Sequence, residues 1–125
     1  MTKHEYEVLA GYAGRHLLRS YPWPIRLGFP FPLPWGRAVY AVYDAEGNCR
    51  NVGSVARASG GLACRLREHL TDPVKRSTWA VVYAIPLEDS TPEAEVRRLE
   101  GVIGAHLRPR DNRWLPAARP PIQSG

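Results

Sequence analysis

The chain has few cysteines and no hydrophobic run long enough for a membrane segment. Its two cysteines, Cys49 and Cys64, form no CxxC pair and are too few for a disulfide framework, which favours a reducing compartment. No apolar run approaches the roughly 20 residues that a membrane-spanning helix needs. The first residues, MTKHEYEV, lack the apolar stretch of a signal peptide. We therefore expect a cytoplasmic protein without a membrane partner.

The charge of the chain is unbalanced toward the basic side. Lysine and arginine together number 17 against 12 acidic residues, which gives a formal net charge of +5 over 125 residues. Hydrophobic residues make up 44% of the sequence, enough for one folded domain with a modest core. A basic balance favours polyanionic partners, although a basic surface also serves solubility alone. Most of the excess lies at residues 57–67, at Lys75 and Arg76, and at the arginines between 108 and 119.

The first third of the chain combines an amphipathic pattern with a proline-rich stretch. Residues 3–20 carry apolar side chains at helical spacing, and Thr2 is placed to cap such a helix. Residues 21–35 contain five prolines, so neither a helix nor a central strand is expected there. The aromatic residues of this stretch predict an extended arm that lies on the domain surface. A proline-rich docking peptide is the alternative.

The rest of the chain is predicted to alternate between strands and helices. An antiparallel hairpin comes first, and a nearly all-apolar strand closed by Pro86 follows a helix. A Ser-Thr-Pro-Glu sequence predicts the start of the last helix, with a hydroxyl cap. The predicted order is β-β-α-β-α, at residues 37–43, 48–54, 59 to about 71, 78–85 and 90–107.

Three polar side chains stand out beside the apolar stripes of the two later helices. Glu100 lies among apolar residues at helical offsets, and burying a lone carboxylate is costly unless it is paired or holds a metal ion. Arg65 and His69 lie four residues apart, hence on one helix face, where a guanidinium can hold two phosphate oxygens. The structural alternatives are a boundary glutamate paired with Arg97 or Arg98, and an exposed arginine with a histidine near a helix C-terminus.

The hairpin and the loop after the last helix supply the remaining candidates. Tyr40 and Tyr43 lie three apart on one strand and point to opposite faces, so one is expected in the core and the other facing a cleft. Gly53 leaves space for a close approach of backbone or ligand. Asn112 follows Pro109 in a predicted loop. Taken singly, Gly53 could simply end a strand and Asn112 could simply cap a turn.

In order and setting these residues resemble the GIY-YIG nuclease family, which includes homing endonucleases, restriction enzymes and repair nucleases. The two signature tripeptides of that family correspond to Ala38-Val39-Tyr40 and Asn51-Val52-Gly53. Its arginine, histidine, glutamate and asparagine correspond, in that order, to Arg65, His69, Glu100 and Asn112. Two positions depart from the signature: Ala38 replaces the first glycine, and Asn51 replaces the second tyrosine. An asparagine can form hydrogen bonds but cannot act as a base.

The resemblance covers roughly residues 37–112 and implies a fold. We expect a small GIY-YIG-like α+β domain, in which helices flank a three-stranded antiparallel sheet. The chain would then consist of an N-terminal helix and arm packed on the core at 1–36, a nuclease domain at 37–116 and a flexible tail at 117–125.

The same resemblance implies a metal-dependent endonuclease, a hydrolase of DNA phosphodiester bonds. Glu100 would bind one Mg²⁺, or Mn²⁺ in its place, and Arg65 would clamp the scissile phosphate. Tyr40 would relay the proton from the attacking water, with His69 orienting it and Asn112 bracing the site. The candidate substrate-binding residues are Asn51, Gly53, Lys75, Arg76 and Asn112. The expected partner is a nucleic acid, DNA before RNA, with a homodimer or a partner protein as further options.

Two other functions are consistent with the sequence. The first is a nucleic-acid-binding module on the same fold, which has lost catalysis through Asn51 and keeps salt-sensitive binding. The second is an interaction protein in which the proline-rich arm is the working part. A nuclease core should retain cleavage without residues 1–36 if it still folds, whereas an interaction through the arm should be lost.

The substitution Asn51→Tyr distinguishes a weakened nuclease from a binding module. It restores the signature hydroxyl, so we expect faster metal-dependent nicking of plasmid DNA than by the wild-type protein. Nicking rates of the two proteins in Mg²⁺ measure the difference. Absence of cleavage by both proteins, with DNA binding intact, would favour the binding module instead.

Overall fold

The computed structural model describes residues 1–28, 34–57 and 61–110. Within these ranges the chain forms four α-helices, with a short 3₁₀ turn at Gly14–His16 after the first. The helices are α1 (Lys3–Gly11), α2 (Gly61–His69), α3 (Pro73–Thr78) and α4 (Glu93–Leu107). The strands are β1 (Ile25–Arg26), β2 (Arg37–Tyr43), β3 (Cys49–Ala56) and β4 (Val81–Pro86). None of these helices is both long and apolar enough to span a membrane.

The strands form one antiparallel sheet in the order β1-β4-β2-β3, so the fold is α+β, as expected, but the sheet has four strands rather than three. The additional strand, β1, pairs Ile25 with Val82 and Arg26 with Val81 at one edge. Pro22 and Pro24 have no backbone N–H to donate, so regular pairing begins only at Ile25. Among the described residues of this stretch (21–28 and 34–35), a two-residue edge strand is all that forms, as expected from the prediction of no central strand there.

Both faces of β2 are covered, because β2 lies between β3 and β4 and helices pack on each side. Its side chains alternate between two cores, one shared with α1 and α4 and the other with α2. The prediction that Tyr40 and Tyr43 point to opposite faces is confirmed. Both are largely buried, Tyr40 at 1% and Tyr43 at 6% exposure, and it is Tyr43, not Tyr40, that borders two open cavities near the turn between β2 and β3.

The predicted helix at 3–20 ends at Gly11 in the structure. Its start is as predicted, because the Thr2 hydroxyl accepts a hydrogen bond from the Glu5 N–H at 3.0 Å. Beyond Gly11 the chain turns through Gly14, whose φ of 53° lies in the left-handed region that glycine adopts readily. Leu17 then forms an isolated antiparallel bridge with Leu87. Apolar spacing therefore continues past the helix because the turn also packs on the sheet.

A third helix, α3, occupies residues that were predicted as a helix end and a strand start. Asp72 caps it by accepting hydrogen bonds from the N–H groups of Val74 and Lys75, and Pro73 stands at its first position. The Asp-Pro pair therefore starts a second helix as well as ending α2. Because α3 extends to Thr78, β4 begins at Val81 rather than at residue 78.

The last helix ends where predicted but starts later. It runs over Glu93–Leu107, and Arg108, with a φ of 51°, ends it just before Pro109. The expected hydroxyl cap is wrong, because Pro92 occupies the cap position and no side chain caps the helix. The Thr91 hydroxyl is instead buried, with no hydrogen-bond partner in the described ranges.

The N-terminal segment contributes directly to both cores. Tyr6 and Leu9 of α1 are fully buried in one core, and Ile25 and Trp35 belong to the other. Deleting residues 1–36 would therefore remove core side chains together with the arm. Residues 29–33 of the arm, Asn112 and the predicted tail at 117–125 lie outside the described residues.

Gly53→Ala should destabilise the protein, because a Cβ at this position would lie 2.4 Å from the Tyr40 hydroxyl oxygen. We expect the free energy of unfolding to fall by about 1–3 kcal/mol, as for overpacking in a core. Gly11→Ala is the matched control, since no atom lies within 4 Å of a Cβ there. Urea denaturation of both variants measures the effect. Equal stability of the two variants would show that the Tyr40–Gly53 contact is not tight.

Candidate active site

Tyr40 on β2 and Gly53 on β3 lie opposite each other, and the missing side chain of Gly53 makes room for the phenol. A Cβ on Gly53 would also approach the Tyr40 Cζ to 2.6 Å, so any other residue would have to move the ring. The tyrosine of the first signature tripeptide and the glycine of the second are therefore in direct contact. This contact places the Tyr40 hydroxyl beside β3, an edge strand of the sheet.

The Tyr40 hydroxyl is buried and has no hydrogen-bond partner among the described residues. Burial raises the pKa of Tyr40 to about 12; the Arg65 guanidinium acts in the opposite direction through its charge and through its close side-chain approach to the phenol, the negative charge of Glu100 adds to the rise, and the charge of Arg57 lowers the pKa slightly. The phenol is therefore protonated at neutral pH. A buried hydroxyl left without a partner costs about 1–3 kcal/mol, so its retention calls for an explanation, of which a catalytic role is one.

Arg65 lies on α2 with a partly exposed guanidinium close to Tyr40. Its Nη1 is 3.7 Å from the Oε1 of Glu68, one turn further along the helix. Its Nε is buried and makes no hydrogen bond within the described part of the chain. Two features of Arg65 are thus those of an anion-binding group: a donor without a partner and a charge that a single carboxylate only partly neutralises.

His69 lies near Tyr40 and Trp79, with ring centroids 6.4 Å and 5.2 Å away. Its Nδ1 is 2.9 Å from the Lys75 ammonium, which can only donate, so Nδ1 accepts and the proton of the neutral ring lies on Nε2. Burial, followed by the charges of Lys75 and Arg65, lowers the pKa of His69 to about 4. At neutral pH His69 is therefore an uncharged ring with an N–H to donate at Nε2, which suits orientation of a neighbour better than proton abstraction.

Glu100 lies on α4, partly buried against β3. Its Oε1 accepts a hydrogen bond from the Ser54 hydroxyl, the residue directly after Gly53. The alternative pairing with Arg98 does not occur, because Arg98 binds Glu95. In the described ranges, no group of three or more His, Cys, Asp and Glu side chains is arranged to hold a metal ion. A carboxylate and a hydroxyl are oxygen donors, however, and a Mg²⁺ that keeps several waters needs few protein ligands.

Within the described ranges, some of the predicted substrate-binding residues contact the polar cluster formed by Tyr40, Arg65, His69 and Glu100, and others do not. Asn51 is buried on β3, two residues before Gly53 and opposite Val42. Lys75 contacts His69 and lies over the Trp79 ring at 5.2 Å. Arg76 is exposed on α3, and no described contact joins it to the other site residues.

Ser54 and Arg57 belong to the cluster but were not among the predicted site residues. Alternation along β3 turns Ser54 to the face opposite Gly53, towards α4, and this spacing could have indicated it as a partner for a helix carboxylate. Arg57 follows the last residue of β3 and binds Glu68, with 2.9 Å between its Nη1 and the carboxylate. No local pattern predicts that pairing, because a strand end and a helix have to meet before it forms.

Three cavities open near the turn between β2 and β3. Their volumes are about 450, 550 and 480 Å³. Tyr43 lines the first two, and Asp44 lines the first and the third. Tyr40, Arg65 and Glu100 line none of these three cavities, so the hollow surface at the turn is separate from the polar cluster.

No protein-family model, no curated protein and no solved structure matches this chain. The resemblance to GIY-YIG nucleases therefore rests on the order and the geometry of the chain's own residues.

Tyr40→Phe should leave the stability unchanged or raise the free energy of unfolding by about 1 kcal/mol, because it removes a buried hydroxyl without a partner. Tyr6→Phe is the matched control. The Tyr6 hydroxyl donates to the Ala84 carbonyl at 2.7 Å and accepts from the Tyr21 N–H at 2.9 Å, so its loss should cost about 1–3 kcal/mol. Urea denaturation compares the two. A similar loss in both variants would mean that the Tyr40 hydroxyl has a stabilising partner.

Proposed function

We propose that this protein is a metal-dependent endonuclease that hydrolyses phosphodiester bonds in DNA on a GIY-YIG-like domain. One observation carries the proposal: the buried Tyr40 hydroxyl has no hydrogen-bond partner among the described residues, and its pKa responds to the charges of Arg65 and Glu100. Tyr40 and Arg65 lie on the side of the sheet that α2 covers, and Glu100 lies on α4, which packs on the other side against the edge strand β3; the charge of Glu100 still acts on the Tyr40 hydroxyl. Their hydroxyl, guanidinium and carboxylate are the groups that a one-metal phosphodiesterase uses for the water, the phosphate and the cation.

The residues at Glu100 fit a divalent cation that retains most of its water. Glu100 is partly buried and Ser54 lies against it, so one carboxylate and one hydroxyl oxygen face the same point. When bound, a Mg²⁺ or Mn²⁺ ion would supply charge neutralisation at the phosphate and at the leaving oxygen. The Glu100 charge contributes to the raised pKa of Tyr40, so neutralising Glu100 also makes the phenol a better proton carrier.

The chain's own residues then have separate roles. The Arg65 guanidinium, whose Nε has no hydrogen-bond partner in the described part of the chain, binds the phosphate oxygens. The Tyr40 hydroxyl, protonated at neutral pH, holds and orients the attacking water through a hydrogen bond, because it is a buried polar group without a partner among the described residues. The neutral His69, fixed through Nδ1 by Lys75, orients this group through its Nε2–H. A net charge of +5 favours a polyanionic substrate, and we propose DNA before RNA.

A nucleic-acid-binding module is the second candidate, and one observation favours it. Burial raises the pKa of Tyr40 to about 12, and Asn51 stands where the signature has a second tyrosine. A site with a protonated phenol and no second hydroxyl would still bind phosphate through its arginines but would transfer protons slowly.

Glu100→Ala should lower metal-dependent nicking of plasmid DNA by about 100-fold or more, because it removes the carboxylate that would hold the cation. The assay compares wild type and variant in Mg²⁺, in Mn²⁺ and in EDTA. Glu93→Ala on the same helix is the control, since Glu93 is exposed at the start of α4. Nicking by Glu100→Ala at the wild-type rate would rule out this carboxylate as the metal ligand. Salt-sensitive DNA binding without nicking by either protein would support the binding module.

A further inference from the structure

One carboxylate, that of Glu68, contacts two guanidinium groups, those of Arg57 and Arg65, whose charges act on Tyr40. Arg57 binds it with two hydrogen bonds, from Nη1 to Oε2 at 2.9 Å and from Nη2 to Oε1 at 3.3 Å. The Nη1 of Arg65 lies 3.7 Å from the same Oε1. The two arginines therefore converge on a single planar anion, in the geometry with which guanidinium groups bind a carboxylate or a phosphate.

Separate elements of the fold hold these three side chains in place. Arg57 directly follows β3, and its N–H donates to the Gly36 carbonyl at 2.9 Å, which anchors the backbone there. Arg65 and Glu68 are three residues apart on α2, so their side chains lie on one face of the helix. The convergence is thus a tertiary feature, with one arginine from a strand end and the other from a helix.

The position of this cluster relates it to the candidate active site. The positive charges of Arg57 and Arg65 both lower the pKa of Tyr40, so both guanidinium groups lie within electrostatic reach of its hydroxyl. Two arginines against one glutamate leave an excess positive charge beside that hydroxyl. The buried Nε of Arg65 remains without a hydrogen-bond partner in the described chain even with Glu68 in place. The cluster is therefore incompletely satisfied by its own carboxylate.

We infer that Arg57 and Arg65 together form the binding site for a nucleic-acid phosphate, and that Glu68 occupies this site in the free protein. This inference rests on the proposed function and extends it by a second phosphate-binding residue and by an internal competitor. An incoming phosphate displaces Glu68 from the two guanidinium groups. The carboxylate is about half exposed, with a side-chain exposure of 49%, so it can turn away into water without unfolding α2.

Glu68→Gln should bind DNA about threefold more tightly than the wild-type protein, because it removes the competing anion and leaves both arginines. The control is Glu95→Gln, which removes the same charge from an exposed Glu–Arg pair three residues apart on α4. Fluorescence anisotropy with a short labelled DNA duplex in EDTA measures affinity without cleavage. Equal affinities of Glu68→Gln and Glu95→Gln, or no binding by either, would overturn the inference.

Arg57→Gln should weaken DNA binding and reduce the salt dependence of the affinity by about one phosphate contact. Arg98→Gln, which removes the partner of Glu95, is its control. Unchanged salt dependence in Arg57→Gln would exclude Arg57 from the phosphate site.

These binding measurements are independent of nuclease activity, so the two proposals can fail separately. Tighter binding by Glu68→Gln without nicking by any variant would sustain this inference and refute the endonuclease. Nicking by the wild-type protein with unchanged binding by Glu68→Gln would do the reverse.

Discussion

The close contact between Tyr40 and Gly53 is the constraint on which the geometry of the polar cluster depends. Helices cover both faces of β2, so a tyrosine on this strand is buried. The Tyr40 ring and hydroxyl fit there only because Gly53, the residue opposite on β3, has no side chain. A shift of one residue in the β2–β3 pairing would turn Gly53 and Ser54 to the opposite faces. The alternation of apolar residues on both strands opposes such a shift, because it would expose one of the two cores.

Burial has opposite effects on the two ionisable rings at this site, and both become neutral. It raises the pKa of Tyr40 and lowers that of His69, since each ring loses the solvation of its charged form. The charged side chains beside these rings are those of Arg57, Arg65 and Glu68, which are partly exposed to solvent. The buried region between these charges has a low effective dielectric constant and screens them weakly. An ion added there would therefore interact strongly with the surrounding charged side chains.

The accuracy of the sequence predictions follows the range of the interactions involved. The strand 37–43 and the end of α4 were predicted well, because β-branched runs, proline boundaries and helical spacing are local signals. The helix at 3–20 was too long because apolar spacing does not distinguish a helix from a turn that packs on the same sheet. The strand β1 was not predicted, since two residues become a strand only through their partner, β4.

The features of the candidate site also separate into those that the sequence predicts and those that depend on the tertiary structure. The sequence alone determined which chemical groups are present and in what order, and it placed Tyr40, Arg65 and Glu100 on the element types where the structure has them. Only the tertiary structure decided their partners: Ser54 for Glu100, 46 residues away, and Arg57 for Glu68. Spacing along a helix or strand specifies neighbours within that element, through 3.6-residue and two-residue periods. Contacts between elements depend on how the sheet and helices pack, and so does the burial that leaves the Tyr40 hydroxyl without a partner.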